Sequence, residues 1–240
     1  GPDHRLQPDA CSRFIDHVQA DHLPHAVIID CTADPGIAGQ YTGWLERGIH
    51  IITPNKRAHS GPMEDYSRLK RLSHVANTHF LYEATVGAGL PIIQTLKDLV
   101  ETGDEIESIS GIFSGTLAYL FNVFDGTRPF SEIVRDACAR GYTEPDPRDD
   151  LSGMDVARKK LILARETGAK LELNDIFVEG LIPAELDPKL SADRFLDRLA
   201  NYDENFQKRL EKATAEQKVL RYIGKWDGQK AKIGLEAISN

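Results

Sequence analysis

Between residues 26 and 83 the chain alternates short apolar runs with helix-patterned segments, and this alternation restricts the fold more than any other feature. Residues 26–30 centre on Val27-Ile28-Ile29, too short for a helix and apolar throughout, as in a buried parallel strand. Asp34-Pro35 then sets a capping residue before a proline suited to the first helical position, which opens a helix predicted to end near Gly48. Residues 49–53 form a second apolar run, 63–75 carry helical spacing, and 79–83 return to a strand pattern. Strand, helix, strand, helix, strand with short connections predicts a parallel sheet with right-handed crossovers. Upstream, Phe14, Ile15 and Val18 predict a helix over residues 11–19 that Pro24 closes off.

The grammar changes after Glu83. Helices are predicted over 90–100, 115–124, 130–140, 192–199 and 201–213, with a strand over 105–113. Met154, Ala157, Leu161 and Ala164 predict one amphipathic helix over 150–167, which Gly168 ends. Two β-rich runs, 218–226 and 230–237, flank Asp227-Gly228, a strong hairpin signal. The expected fold class is therefore α/β, a parallel sheet followed by an α+β domain with a mixed sheet. The boundary falls between 1–85 and 86–240.

Composition excludes several functions. With 29 Lys and Arg against 37 Asp and Glu, the net charge of −8 repels phosphate backbones and anionic lipid, so no nucleic acid and no membrane are expected as partners. No apolar stretch approaches the roughly 20 residues needed to cross a bilayer, and the start lacks a charged-then-apolar leader. Cys11, Cys31 and Cys138 are odd in number and lack CxxC spacing, which points to a reducing, cytoplasmic setting. Gly1-Pro2 resembles a protease-cleavage scar, so a cut piece of a longer chain is expected.

The chemistry concentrates in Gly141-Tyr-Thr-Glu-Pro-Asp-Pro-Arg-Asp-Asp-Leu-Ser-Gly-Met-Asp-Val-Ala-Arg-Lys-Lys160. Two prolines among carboxylates predict a stiff, non-helical loop over 144–148. Ser152 and Asp155 form a capping-box pattern, placing Asp155 in a first helical turn with Lys159 one turn on along the same face. A sheltered lysine among carboxylates can give a proton to a carbonyl oxygen as hydride reaches its carbon. Glu144 and Asp155 suit the ammonium group of an amino-acid substrate. On spacing alone, an Asp and Lys at i, i+4 form an ordinary solvated pair worth a few tenths of a kcal/mol.

Two further constellations stand beside it. The turn Glu83-Ala-Thr-Val-Gly-Ala-Gly-Leu-Pro91 joins a strand to a helix through two glycines. Cys31-Thr32-Ala33-Asp34 and Thr53-Pro-Asn-Lys56 lie at the carboxyl ends of consecutive parallel strands, where open sheets of this kind bind ligands. A competing chemistry treats the carboxylate-rich loop as a divalent-metal site serving hydrolysis, which magnesium would permit without a histidine.

Taken in order, Thr53-Pro-Asn-Lys56, Glu83-Ala-Thr-Val-Gly-Ala-Gly-Leu-Pro-Ile92, Gly111-Ile-Phe-Ser-Gly-Thr116 and Gly141 through Leu151 closely resemble the homoserine dehydrogenase family. The resemblance runs over residues 27–183. Lys218-Val-Leu-Arg-Tyr-Ile-Gly224 is similar to the dehydrogenase half of bifunctional aspartokinase–homoserine dehydrogenases. It implies an oxidoreductase that interconverts aspartate 4-semialdehyde and homoserine with NAD or NADP, in the pathway to threonine, methionine and isoleucine.

The resemblance also implies roles. Lys159 matches the general acid/base, and Glu144 and Asp155 match the homoserine-binding carboxylates, with Asp150 as a supporting carboxylate. Lys56 matches a lysine near nicotinamide and substrate, Thr32 and Gly141 match cofactor contacts, and Glu83 with the carbonyls of Val86, Ala88 and Leu90 matches a sodium-type monovalent cation site. Residues 86–240 correspond to the substrate-binding, catalytic and dimerisation domain, so a homodimer is expected. Residues 1–85 correspond to a partial Rossmann-type domain. The family's opening Gly-x-Gly-x-x-Gly turn has no counterpart before Val27, and no closing glycine-rich segment is reached by Asn240. Weak dinucleotide affinity and little or no turnover by this chain alone are expected.

Overall fold

A computed structural model describes residues 14–18 and 25–239. The chain divides into two compact units, Gly1–Gln94 and Thr95–Asn240.

In the first unit, strands β1 (Val27–Ile29), β2 (His50–Ile52) and β3 (Phe80–Leu81) form a parallel sheet in that order. Register places Ile28 beside Ile51 and Ile51 beside Phe80. All three are buried, because successive side chains of a strand point to opposite faces; on this face the rings of Tyr41 and His59 lie 5.6 and 4.7 Å from that of Phe80, and the crossover helices bury Trp44, Leu45, Tyr66 and Leu69. Asp34 caps the first crossover helix, accepting from the Gly36 and Ile37 amides at 2.6 and 3.2 Å, with Pro35 at its start. The single helix expected to reach Gly48 is two short ones, Pro35–Ala38 and Tyr41–Glu46. Gly36 and Gly39 lower helical propensity there, and the first helix closes at Gly39. Of the helix expected over 11–19, residues 14–18 are helical, with Ile15 buried, and the rest lies outside the described residues.

In the second unit, strands β4 (Ile109–Gly111), β5 (Phe177–Val178), β6 (Lys218–Trp226) and β7 (Ala231–Ser239) form a mixed sheet in the order β4-β6-β7-β5. The Asp227-Gly228 hairpin closes β6 on β7, with the Asp227 carboxylate accepting from the Gln229 and Lys230 amides. Strand β4 is shorter than the predicted 105–113 because Ile109 already pairs with Trp226, the last residue of β6, and earlier residues have no strand to face. Helices Gly115–Val123, Phe130–Ala139, Met154–Glu166, Ala192–Leu199 and Asp203–Ala215 bury Leu117, Leu120, Phe130, Ile133, Leu161, Phe195 and Phe206 with Tyr222 and Ile233 of the sheet in one core. Phe130 and Phe206 stack at 4.1 Å at its centre. Among the described residues no helix is long and apolar enough to cross a membrane.

Candidate active site

In the first unit the ends of β1 and β2 are tied together by a buried polar network. The Tyr41 hydroxyl donates to Asp30 and lies 2.9 Å from Thr53 Oγ1, and Asn55 Nδ2 donates to both Asp30 Oδ2 and the Asp34 carbonyl. The other Asp30 oxygen accepts from the Thr32 amide at 2.8 Å. Burial pushes the Asp30 carboxyl up, but the bonds from Tyr41, Thr32 and Asn55 outweigh it and hold the group below its ordinary value. Burial, reinforced by Asp30, raises the Tyr41 phenol. The network fixes both loops that carry expected site residues. Thr32 is exposed, Lys56 is half-buried, and the Lys56 carbonyl accepts from the Ser60 amide and hydroxyl. Asp30, Tyr41 and Asn55 were not singled out by sequence; their signal is polar residues ending apolar strands, visible only once the strands are adjacent.

The turn after β3 is built around glycine. Gly87 has φ +83° and a Cβ there would lie 2.4 Å from Ile92 Cγ1, so only glycine fits. Ala88 follows at φ +53°, a left-handed conformation costly for a residue with a Cβ. Both oxygens of Glu83 accept from helix amides, Ile93 at 2.8 Å and Gln94 at 2.9 Å, capping helix Ile92–Glu101. The Leu90 carbonyl accepts from the Ile92 amide.

In the second unit the carboxylate-rich segment departs from expectation in two ways. Residues 144–148 are not wholly loop: Asp146 caps a short helix, Pro147–Leu151, with Pro147 in the first position, where its missing N–H costs nothing. The capping box at Ser152 and Asp155 does not form, because Gly153 at φ +73° is the cap of helix Met154–Glu166 and offers no side-chain bond. The one helix expected over 150–167 breaks at that glycine. Ser152 Oγ accepts from the Met154 amide instead.

Around this break several expected residues meet. Lys159 Nζ donates to the Phe113 carbonyl at 2.8 Å and pairs with Asp155 Oδ2 at 2.6 Å. The Lys159 side chain is 18% exposed and that of Asp155 46%, so the pair is sheltered at its lysine end and open to solvent at its carboxylate. Asp150 Oδ2 accepts from the Glu144 amide at 2.8 Å. Burial pushes the Asp150 carboxyl above its ordinary value, with Asp155 and Asp149 adding to this against bonds from the Glu144 amide and Thr116. The Glu144 side chain is exposed. Thr116 Oγ1 donates to the Tyr142 carbonyl, holding the stretch that follows Gly141, which has φ +70° and open space beside it. Arg148 anchors the segment further, reaching Asp146 and the Pro188 carbonyl while lying over Phe195. Phe113 and Thr116 were missed as site residues: a backbone carbonyl leaves no mark in residue type, and the Thr116 hydroxyl finds its acceptor 26 residues further along the chain.

The first unit is a parallel sheet with loops ordered at its strand ends, where open sheets of this kind bind ligands, and the second is an α+β unit that carries a sheltered lysine beside a carboxylate. Comparison with known proteins narrows this. The family described as "Homoserine dehydrogenase" matches residues 91–240, and "Homoserine dehydrogenase, NAD binding domain" matches residues 3–83. The chain belongs to the homoserine dehydrogenase family. It is 53% identical over 222 residues to bifunctional aspartokinase/homoserine dehydrogenase 2, chloroplastic, of Zea mays, covering 92% of this chain and 24% of that protein. It is 47% identical over 220 residues to homoserine dehydrogenase of Schizosaccharomyces pombe, covering 89% of this chain and 58% of that protein. A Candida auris crystal structure of unknown function superposes with a TM-score of 0.87 at 41% identity, over 98% of this chain and 66% of that one. The chain thus spans about a quarter of the maize relative and under two thirds of the yeast one.

Proposed function

We propose that the protein from which this chain comes interconverts aspartate 4-semialdehyde and homoserine with a nicotinamide dinucleotide. The observation that carries this reading is Lys159, a sheltered amine whose position is set by one carbonyl and one carboxylate. Two of its three N–H bonds are directed at Phe113 and Asp155, and the third serves the substrate's oxygen. Lys159 gives that oxygen a proton in the reductive direction and takes it back in the other. Asp155 holds the amine in place through the ion pair between them. Glu144, with its carboxylate exposed, binds the substrate's ammonium group together with Asp155, and Asp150 holds Glu144 by its amide.

The residues present fit a nicotinamide dinucleotide in part. The loop at Thr32 is held by Asp30, and the loop at Lys56 by Asn55 and Ser60, which leaves ordered backbone at the two strand ends where such cofactors lie. The bound cofactor supplies the hydride. Thr32, Lys56 and Gly141 are the contacts assigned to it.

A sodium-type cation belongs to the same reading. The glycine turn offers Glu83 with the carbonyls of Val86, Ala88 and Leu90, oxygen donors suited to a hard ion, while the Glu83 carboxylate also accepts from the Ile93 and Gln94 amides of the helix that follows. Its role is to stiffen the turn. A homodimer formed through the second unit is also proposed, and sedimentation as a monodisperse monomer would count against it. The described cysteines Cys31 and Cys138 are free thiols, which suits a reducing compartment such as the cytoplasm. The divalent-metal hydrolase finds no support: the family match is to a dehydrogenase, and among the described residues no group of three or more His, Cys, Asp or Glu could hold a metal ion.

Replacement of Lys159 by Ala in the full-length protein tests the central claim. Turnover of homoserine should fall at least about 100-fold, the scale of general acid/base catalysis, with an unchanged far-ultraviolet circular dichroism spectrum. Retention of most activity would remove Lys159 from the mechanism.

A further inference from the structure

Lys160, the next residue along the helix, is fully buried, with 0% exposure. Successive helical side chains diverge by about 100°, so Lys160 points away from Lys159 and into the core. Among the described residues no carboxylate pairs with it. Its Nζ donates to the Ile109 carbonyl at 2.9 Å and lies 4.3 Å from the centre of the Phe113 ring. The space is shaped for it. Gly224 of β6 stands opposite Gly111 of β4, and a Cβ at Gly224 would come within 3.2 Å of Lys160 Cε and 3.3 Å of the Phe113 ring.

A lysine stem filling a core position is ordinarily replaceable by an apolar side chain, and burying its amine with no counter-charge opposes folding. What the amine does here is bind both ends of one short segment, Ile109 by its carbonyl and Phe113 by its ring. The Phe113 carbonyl is the acceptor that holds Lys159. The two lysines therefore grip residues 109–113 from different sides of the same helix.

We propose that Lys160 is a positioning residue for Lys159: from inside the core it pins residues 109–113, so that the Phe113 carbonyl keeps the Lys159 amine in its working place. The proposal rests on the reading of Lys159 as the proton carrier. Lys160 touches neither substrate nor cofactor and acts only through Phe113.

The test uses Lys160→Met in the full-length protein, since Met keeps the stem's length and removes the donor and the charge. Two readouts are taken: the rate at which limiting acetic anhydride acetylates Lys159, followed by mass spectrometry, and the split between kcat and KM. The expected result is faster acetylation of Lys159, kcat lowered about 10-fold or more as alignment is lost, and KM for the semialdehyde within about twofold. Phe113→Leu, which keeps the carbonyl and removes the ring, should move both readouts in the same direction and decides the matter should Lys160→Met not fold. Unchanged acetylation and unchanged kcat in the folded variants would overturn the proposal. A Lys159→Ala protein that still turns over would instead defeat the reading of Lys159, while the acetylation rate would go on judging the link between Lys160 and Lys159.

Discussion

In the first unit the strand alternation buries Ile28, Ile51 and Phe80 and turns Val27, Ile29, Ile52 and Leu81 outward, where they are 40–66% exposed. In the second unit the same alternation buries Leu220, Tyr222 and Trp226 of β6, while the other face carries Lys225, Lys232 and Glu236 beside the buried Ile223, with Glu236 pairing to Lys225. One sheet ends in grease and the other in ion pairs. An antiparallel hairpin sheet commonly leaves a face to water, whereas parallel sheets are covered on both sides. The second sheet thus sets charged residues on its second face, while the first leaves apolar ones exposed on its own.

The largest expected effect tests how tightly the second unit is packed. A Cβ at Gly153 would fall 2.0 Å from the Tyr222 hydroxyl and 3.1 Å from Val178 Cγ1, at a backbone φ of +73°. That hydroxyl is itself committed, donating to the Glu179 carbonyl at 2.7 Å. Gly153→Ala should cost about 3 kcal/mol or more by urea unfolding. Gly141→Ala is the control, with φ +70° but nothing within 4 Å, and should cost about 1 kcal/mol from backbone strain alone. Equal losses at the two glycines would show that the helix start is looser than the packing implies.

Next in size is the pH dependence that Lys160 imposes on the second unit. Burial lowers the Lys160 amine from an ordinary 10.5 to about 7. Between those values the unfolded chain binds a proton that the folded chain does not, so stability rises with pH across that window, and below about pH 7 the full penalty applies. Lys160→Met should therefore be more stable than the parent below pH 7, by an amount on the order of 3 kcal/mol, with the gain fading as pH approaches 10. Urea midpoints from pH 6 to 10 measure it. A pH-independent difference would mean that the amine keeps its ordinary affinity for protons inside the core.

The comparison also explains what was legible in the sequence. Strands β1 to β3 and the β6–β7 hairpin are local patterns, an apolar run bounded by turns or an Asp-Gly between alternating residues, and the residues alone carry them. Strand β5 has two residues and exists only because β7 lies beside it. The break at Gly153 was hidden because the apolar period runs on through it, while the cause, the Tyr222 hydroxyl, is 69 residues away in sequence. Within the site, Asp155 and Lys159 share a helix face and were readable at i, i+4. The Phe113 carbonyl and the burial of Lys160 were not, since Arg158-Lys159-Lys160 reads as a solvated basic run until the fold turns one of the three inward.

The smallest effect is expected on the outward face of the first sheet. Ile29 and Ile52 are neighbours across β1 and β2, exposed by 66% and 40%, so replacing both with Thr removes little buried area and keeps β-branching at each position. The double variant should change stability by no more than about 0.5 kcal/mol, while reducing the binding of a hydrophobic dye and the light scattering of concentrated samples. Ile51→Thr, one residue away and fully buried, should cost about 2 kcal/mol through the lost packing and the hydroxyl placed in the core. If the outward pair proved as costly as Ile51, the face would already be covered in solution, by a second copy or by part of the same chain, and the contrast between the two sheets would disappear. If dye binding alone fell, the exposed isoleucines would stand as a contact surface that stability measurements on this chain do not register.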